Sequence, residues 1–302
     1  VDVVDNRGEI RDFLATRRAK LTPEQVGLPT SGHRRVPGLR REEVAVLAGV
    51  STDWYIRLEK GHISGVSEDV LDAVARALQL SDVERDHLYN LARAAKPTRT
   101  PRSRTKTPIP ASLQRVLDSM SLTAAFVRNG RLDILASNQL ARALYAPVLD
   151  EPAHRANIAR FDFLDPRAAD YYPDYDGALS TAVALLRTEA GRAPHDKDLT
   201  ELIGELATRS EAFRTRWGTH DVRNHRTGVK KFNHPVVGHL ELTYDSMALV
   251  AADGLVLTAY TAEPATASAD GFSLLASWAA TESSSADPRA ARAESDPTTT
   301  SD

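Results

Sequence analysis

Residues Arg41 to Gly61 read REEVAVLAGVSTDWYIRLEKG, and the rest of the chain is interpreted from this stretch. Arg41 to Ala48 carries Val44, Leu47 and Ala48 on one side, at the spacing of a helix. Gly49 follows, a residue that accepts the positive φ of a tight turn. Val50 supplies an apolar lock for that turn, and Ser51 is a natural cap for a second helix. That second helix is expected between Thr52 and Lys60, closed by Gly61. Ala45 is small where the two helices approach. Tyr55 and Leu58, three residues apart, face inward, which leaves Thr52, Asp53, Ile56, Arg57 and Lys60 on the outward stripe with Trp54 at its border. The pattern is that of two short helices held across a tight turn.

Neighbouring segments complete an all-α domain. Gly8 to Lys20 places Ile10, Phe13, Leu14 and Arg17 at helical spacing. Ser67 opens a segment with Val70, Leu71, Val74 and Leu78 on one face, its first turn made acidic by Glu68 and Asp69. Ser81 with Glu84 forms a capping box ahead of Leu88 and Leu91. Between the first two helices lies an insertion, Leu21 to Leu39, that holds His33, Arg34 and Arg35 and runs into Arg40 and Arg41.

The chemistry of the outward stripe suits base edges. Arg57 can donate to guanine, Asp53 can accept from the amino group of cytosine, and Ile56 or Thr52 can touch a thymine methyl. Ser51 and Trp54 flank these positions. Arg34, Arg35, Arg40 and Arg41 are expected to contact phosphates, although a basic loop can also be merely solvated. The block resembles the XRE-type, phage-repressor-like helix-turn-helix, through its LAGVS and LEKG segments. With the insertion, the run RRVPGLRREEVAVLAGVS is similar to the MmyB-like branch of XRE regulators. Arg40 stands where that pattern usually has a short polar helix cap.

Bulk properties are consistent with this. The 302 residues are comfortable for two domains, and the net charge of −3 is unevenly spread. Residues 1–110 hold 19 Lys and Arg against 15 Asp and Glu, and the remainder holds 19 against 26, out of chain totals of 38 and 41. A basic head on an acidic body suits a nucleic-acid partner. Cysteine is absent, which excludes disulfides, thiolate zinc sites, cysteine nucleophiles and a light-sensing flavin adduct. No signal peptide is visible and no apolar run approaches the ~18 residues of a spanning helix. A cytoplasmic protein with no membrane partner is expected.

Four regions follow: a helix-turn-helix domain over 1–95, a linker over 96–110 stiffened by Pro97, Pro101, Pro108 and Pro110, a second domain over 111–280, and a disordered tail over 281–302. In the second domain Ala124 to Arg128 and Leu132 to Ser137 read as strands joined by Asn129-Gly130. Ala178 to Arg187 and Leu199 to Trp217 read as helices. Val229–Phe232, His239–Tyr244 and Leu255–Thr261 read as strands, and Phe272 to Trp278 as a closing helix. An α+β domain is expected.

The segments LDILASNQLARALY, FLDPRAADYYPDY, LIGELATRSEAFRTRWGTHDV, KKFNHPVVGHLELTYDSMAL and LTAYTAEP also resemble the MmyB-like branch. That resemblance implies a PAS-like domain that senses a small hydrophobic molecule. Phe126, Ile134, Leu144, Phe161, Phe163, Trp217, Leu242, Tyr244 and Val256 are candidates for its wall, each of which can equally be plain core. His220, His225, His234 and His239 match no common zinc spacing, so no metal is expected. His220-Asp221 with Ser246 lacks a nucleophile elbow, and no catalytic residue or cofactor is assigned. The expected protein is a ligand-responsive, homodimeric regulator on a pseudo-palindromic operator in double-stranded DNA. The alternatives are an enzyme or carrier domain with an accessory DNA-binding head, and a dimerisation domain without ligand.

Overall fold

The computed structural model describes residues 6–29, 34, 36–95, 109–218, 227–250, 252 and 254–286. Helices α1 (Asn6–Lys20), α2 (Arg41–Ala48), α3 (Thr52–Glu59), α4 (Glu68–Ala77) and α5 (Asp82–Ala94) come first. Then follow α6 (Ala111–Asp118), β1 (Ala124–Arg128), β2 (Ile134–Ser137), α7 (Gln139–Leu144), α8 (Ala146–Leu149), α9 (Ile158–Leu164) and α10 (Arg167–Tyr171). The chain continues through α11 (Tyr175–Arg192), α12 (Lys197–Arg209) and α13 (Glu211–Trp217) to β3 (Thr227–His234), β4 (Gly238–Ala248), β5 (Val256–Ala262) and α14 (Ala267–Ala286). They form two compact units: Val1–Thr105 with Leu179–Asn224, and Lys106–Ala178 with His225–Asp302.

The first unit is helical. Ile10, Phe13, Leu14, Val44, Tyr55, Leu58, Leu71, Val74, Leu88 and Leu91 form its core, so the apolar rows expected on α1 to α5 meet one another. Caps set the boundaries. Ser81 accepts the amide of Glu84 while the Glu84 carboxylate accepts the amide of Ser81. The sequence places Leu199–Trp217 in one helix of the second domain. In the structure it is two helices grouped with the N-terminal ones, broken at Ser210, whose hydroxyl accepts the amide of Phe213 and caps α13. On α11, Arg187 is fully buried and its Nη1 donates to Glu9 of α1 at 2.8 Å. A Cβ on Gly191 would come within 2.9 Å of the His87 ring, so α5 and α11 pack closely there.

The second unit is a five-stranded antiparallel sheet in the order β2-β1-β5-β4-β3, with helices around it. Pairing of Phe126 with Thr258, Tyr260 with Tyr244 and Lys230 with Leu242 sets one face. The opposite face sets Ala125, Val127 and Leu257 against Leu117 of α6. An antiparallel sheet accompanied by helices is an α+β arrangement.

Two expectations are corrected. Asn129-Gly130 does not make a two-residue turn. Asn129 Oδ1 accepts the amides of Arg131 and Asp133, at 2.9 and 3.0 Å, and the left-handed residue is Leu132 (φ +67°), so a wider loop delays β2 to Ile134. The closing helix, expected over Phe272–Trp278, runs on to Ala286, into the segment expected to be disordered; residues beyond it lie outside the described set, as do 96–108 of the expected linker.

Candidate functional site

The two-helix element is built as its residues dictate. Gly49 has φ +66° and donates its amide to Ala45 O and Val46 O, ending α2 in the left-handed region. Val50 donates to Ala45 O at 3.0 Å, and Ser51 Oγ accepts the amide of Trp54 at 3.2 Å, which starts α3. The cap missing at Arg40 is replaced from downstream: the Glu43 carboxylate accepts the Arg40 amide at 2.6 Å.

Tyr55 and Leu58 are buried, Trp54 and Ile56 are half-buried, and Ser51, Thr52, Asp53, Arg57 and Lys60 are exposed. Among the described residues, the side chains of Thr52, Asp53, Arg57 and Lys60 make no hydrogen bond or ion pair. They form an uncommitted polar stripe along the front of α3.

The arginines divide differently from the expectation. Arg34 donates Nη1 and Nη2 to the two Glu43 oxygens at 2.7 and 2.8 Å, and Nη2 also to Gly38 O. This bidentate clamp holds the Glu43 carboxyl down at about 2, against the upward push of its partial burial. Arg34 thus ties the insertion to α2. Arg41 is half exposed and donates to Glu59 Oε1 at 3.0 Å. Arg40 is exposed and its side chain pairs with Glu42 at 3.4 Å. Arg35 lies outside the described residues.

Glu59 escaped the sequence reading. It is 2% exposed, and both its oxygens accept from Arg18 of α1, at 2.9 and 3.0 Å, while Arg41 shares Oε1. Its position, four residues after Tyr55 and on the same face, was a legible signal.

In the sheet unit, Phe126, Ile134, Leu242, Tyr244 and Val256 share the face defined by Phe126 and Tyr260, as the strand registers require. Leu144, Phe161 and Phe163 are buried on the helices. Trp217 is not placed with them. It stacks on Phe213 with centroids 5.3 Å apart and lies under the Arg187 guanidinium at 4.3 Å, in the helical unit.

Several aromatic residues that the sequence reading left out hold the centre of this face. Tyr145 and Phe232 meet edge to face, Phe161 meets both Tyr171 and Tyr172 in the same way, and the Tyr145 and Tyr260 hydroxyls hydrogen-bond at 2.8 Å. Two charged side chains lie beside these rings, Asp162 buried and Lys230 partly buried. Asp162 is 2% exposed, and burial pushes its carboxyl well above the usual range. Lys230 projects from the face of β3 that carries Phe232, its Nζ 4.3 Å from the Tyr172 ring centroid, and burial lowers it.

His220 and His225 lie outside the described residues. His234 is buried with Nε2 3.1 Å from Ala143 O, and His239 Nδ1 lies 3.2 Å from Asn233 Oδ1. Among the described residues no three His, Asp or Glu gather as a metal site. Ser246 pairs with the hydroxyl of Thr258 at 3.1 Å. No helix among the described residues is long and apolar enough to cross a membrane.

Comparison with protein families agrees with this geometry. The model described as the MmyB-like transcription regulator ligand binding domain matches residues 109–275, and one described as a helix-turn-helix domain matches residues 9–88. No curated protein matches the chain.

Proposed function

The chain belongs to the MmyB-like transcription regulators, and from that premise we propose that it reads a specific operator with α3 and that a small hydrophobic molecule held on the sheet unit sets its DNA affinity. Its architecture, a helix-turn-helix domain with a ligand-binding domain, is that of a ligand-responsive transcriptional regulator.

The observation that carries the DNA reading is the uncommitted stripe of Thr52, Asp53, Arg57 and Lys60, backed by arginines already engaged within the domain. Residues near the start of such a helix reach base edges, while backbone contacts fall to flanking cations. In our reading Arg35, Arg40 and Arg41 contact phosphates, and Arg34 chiefly orients α2.

One such head makes few base contacts, so a homodimer on a pseudo-palindromic operator supplies the specificity. The protein acts in the cytoplasm and releases its ligand unchanged.

Operators selected from random duplexes with the full chain test this. Arg57→Ala is expected to cost about 1–3 kcal/mol on the selected site and relax the base preference. Arg40→Ala weakens all sequences alike and flattens the salt slope. Wild-type affinity and preference in both variants overturns the docking of α3. A monomer by light scattering, free and on DNA, overturns the dimer.

A further inference from the structure

Beside α3 the helical unit opens into a recess of about 490 Å³. Arg7 of α1, Arg57 of α3, His62 and Ser64 of the loop that follows α3, and His195 of the turn between α11 and α12 line it, all of them exposed. Among the described residues no Asp or Glu lines it. Arg57, His62 and His195 make no side-chain hydrogen bond or ion pair among the described residues.

Close packing fixes these walls. Gly61 (φ +91°) lies so near α1 that a Cβ there would come within 2.8 Å of the Arg7 backbone. The Asp196 amide donates to Ala193 O at 3.0 Å, which makes a tight turn with Pro194 second and His195 third. Pro194 is buried in it, and Asp196 then caps α12 by accepting the Leu199 amide at 3.1 Å. The Arg187–Glu9 pair and the packing of Gly191 on His87 hold α11, and with it this turn, against α1 and α5. The sequence extends the positive charge. Residues 96–108, which follow Ala95 at the edge of the recess, hold Lys96, Arg99, Arg102, Arg104 and Lys106 and no acid, and these outnumber Asp2 and Asp5, which precede Asn6.

We propose that this recess seats the phosphate backbone of the operator, and that His195 is a DNA contact. Arg57 belongs both to the recess and to the outward stripe of α3, so whatever fills the recess lies alongside the base pairs that α3 reads. Phosphates flank those bases, and contacts to them come from residues bordering the recognition helix. Arginine and serine donate to phosphate oxygens, and an imidazole keeps at least one N–H to donate in either charge state. A free small molecule suits this lining less well, since such sites are mostly apolar and enclosed. His195 lies in the sequence matched by the ligand-binding family, beyond the residues 9–88 matched as helix-turn-helix, yet it belongs to the helical unit and its reading surface. This inference rests on α3 as the DNA-reading helix and extends its footprint.

The test measures the full chain on the selected operator and on a random duplex, with His195→Asp, Ser64→Asp and Arg209→Ala. Aspartate is at home in tight turns and both of its sites are exposed, so the fold is expected to hold, with the unfolding midpoint as the check. His195→Asp is expected to weaken binding to both duplexes by about tenfold at moderate salt. It flattens the salt slope by about one phosphate contact and leaves base preference unchanged. Ser64→Asp, on a different element of the recess, is expected to do the same. Arg209→Ala removes a positive charge from the last residue of α12 and leaves both affinities unchanged. Wild-type binding by both aspartate variants overturns the recess as a DNA contact. The reading of α3 then stands if Arg57→Ala still relaxes base preference, and falls with the recess if it does not. An equal loss in Arg209→Ala makes the effect one of net charge and overturns the proposal. Displacement of the duplex by submillimolar pyrophosphate at constant ionic strength also overturns it, by assigning the recess to a small anion.

Discussion

Glu59 in the reading head and Asp162 in the sheet unit are both 2% exposed, yet the protein treats them in opposite ways. Glu59 is grasped by Arg18 through both oxygens and by Arg41 through one, across three elements of the helical domain. Asp162 has the Tyr172 hydroxyl beside it and makes no ion pair among the described residues, Lys230 being engaged with aromatic faces. A buried carboxylate satisfied by its own chain serves as scaffold. One without an ion pair costs stability whenever it is charged.

The largest effect is expected from breaking the satisfied cluster. Glu59→Ala leaves Arg18 and Arg41 facing one another at the junction of α1, α2 and α3, and the loss is about 3–5 kcal/mol. Denaturant unfolding of the full chain measures it, and a loss below about 1 kcal/mol would show that solvent supports these arginines instead. Operator affinity should fall with it, because Glu59 holds the end of α3.

Smaller, and set by pH, is the contribution of the Arg34–Glu43 clamp. Arg34 depresses the Glu43 carboxyl to about 2 from an ordinary 4.5. A depressed acid stabilises the fold above its unfolded value, and that stability is lost as pH falls from about 4.5 toward 2. Arg34→Met is therefore expected to remove part of the acid sensitivity in that window while leaving the slope near neutrality unchanged. An unchanged acid limb would mean that the clamp contributes nothing to folding. The same variant separates structure from DNA contact, since a phosphate ligand would change the salt slope and a brace would not.

The next effect is local. Ser51 caps α3 at the turn, and Ser51→Ala is expected to cost about 1 kcal/mol, read as a shift in the unfolding midpoint. Asn138 of the sheet unit gives the contrast. Its amide accepts from Ala125 and Ala141 and donates to Met120 and Thr123, so Asn138→Ala should cost more than the exposed serine does. Equal costs would mean that burial does not separate the two caps.

The comparison also explains what could be read from the sequence. Helices α2 to α5 were legible almost to their ends because caps and apolar spacing act locally: Gly49, Ser51 and the Ser81–Glu84 pair each impose a boundary. The outward stripe of α3 followed from the same periodicity. The charged partners of the interior were not legible, because a Glu or Lys in a sequence looks like a solvated residue until its phase is known. Lys230 became meaningful only once β3 placed it on the same face as Phe232. Arg187 and Glu9 are 178 positions apart, and no local pattern joins them. The break at Ser210 was missed because the apolar spacing continues across it, and the turn after Asn129 because its side chain captures two amides ahead of the glycine.

The smallest change in stability, and the one most informative about the buried acid, is expected for Asp162→Asn. The variant keeps the shape of the side chain and removes a charge that burial disfavours, while giving up attraction to Lys230 on β3 and weakening the hydrogen bond with the Tyr172 hydroxyl. Burial outweighs the attraction, so the variant is expected to be more stable than wild type at neutral pH. The sign with pH is sharper. The folded carboxyl is raised to about 7 from 3.8, so between those values the folded state holds a proton that the unfolded chain has released. Stability contributed by this group is therefore complete below about pH 4 and declines as pH rises toward 7. Asp162→Asn should flatten that decline, and unfolding curves at pH 5 and pH 7.5 on both proteins measure it. A loss of several kcal/mol at both pH values would place Asp162 in the same class as Glu59, as a paired scaffold group, and the contrast between the two carboxylates would not hold.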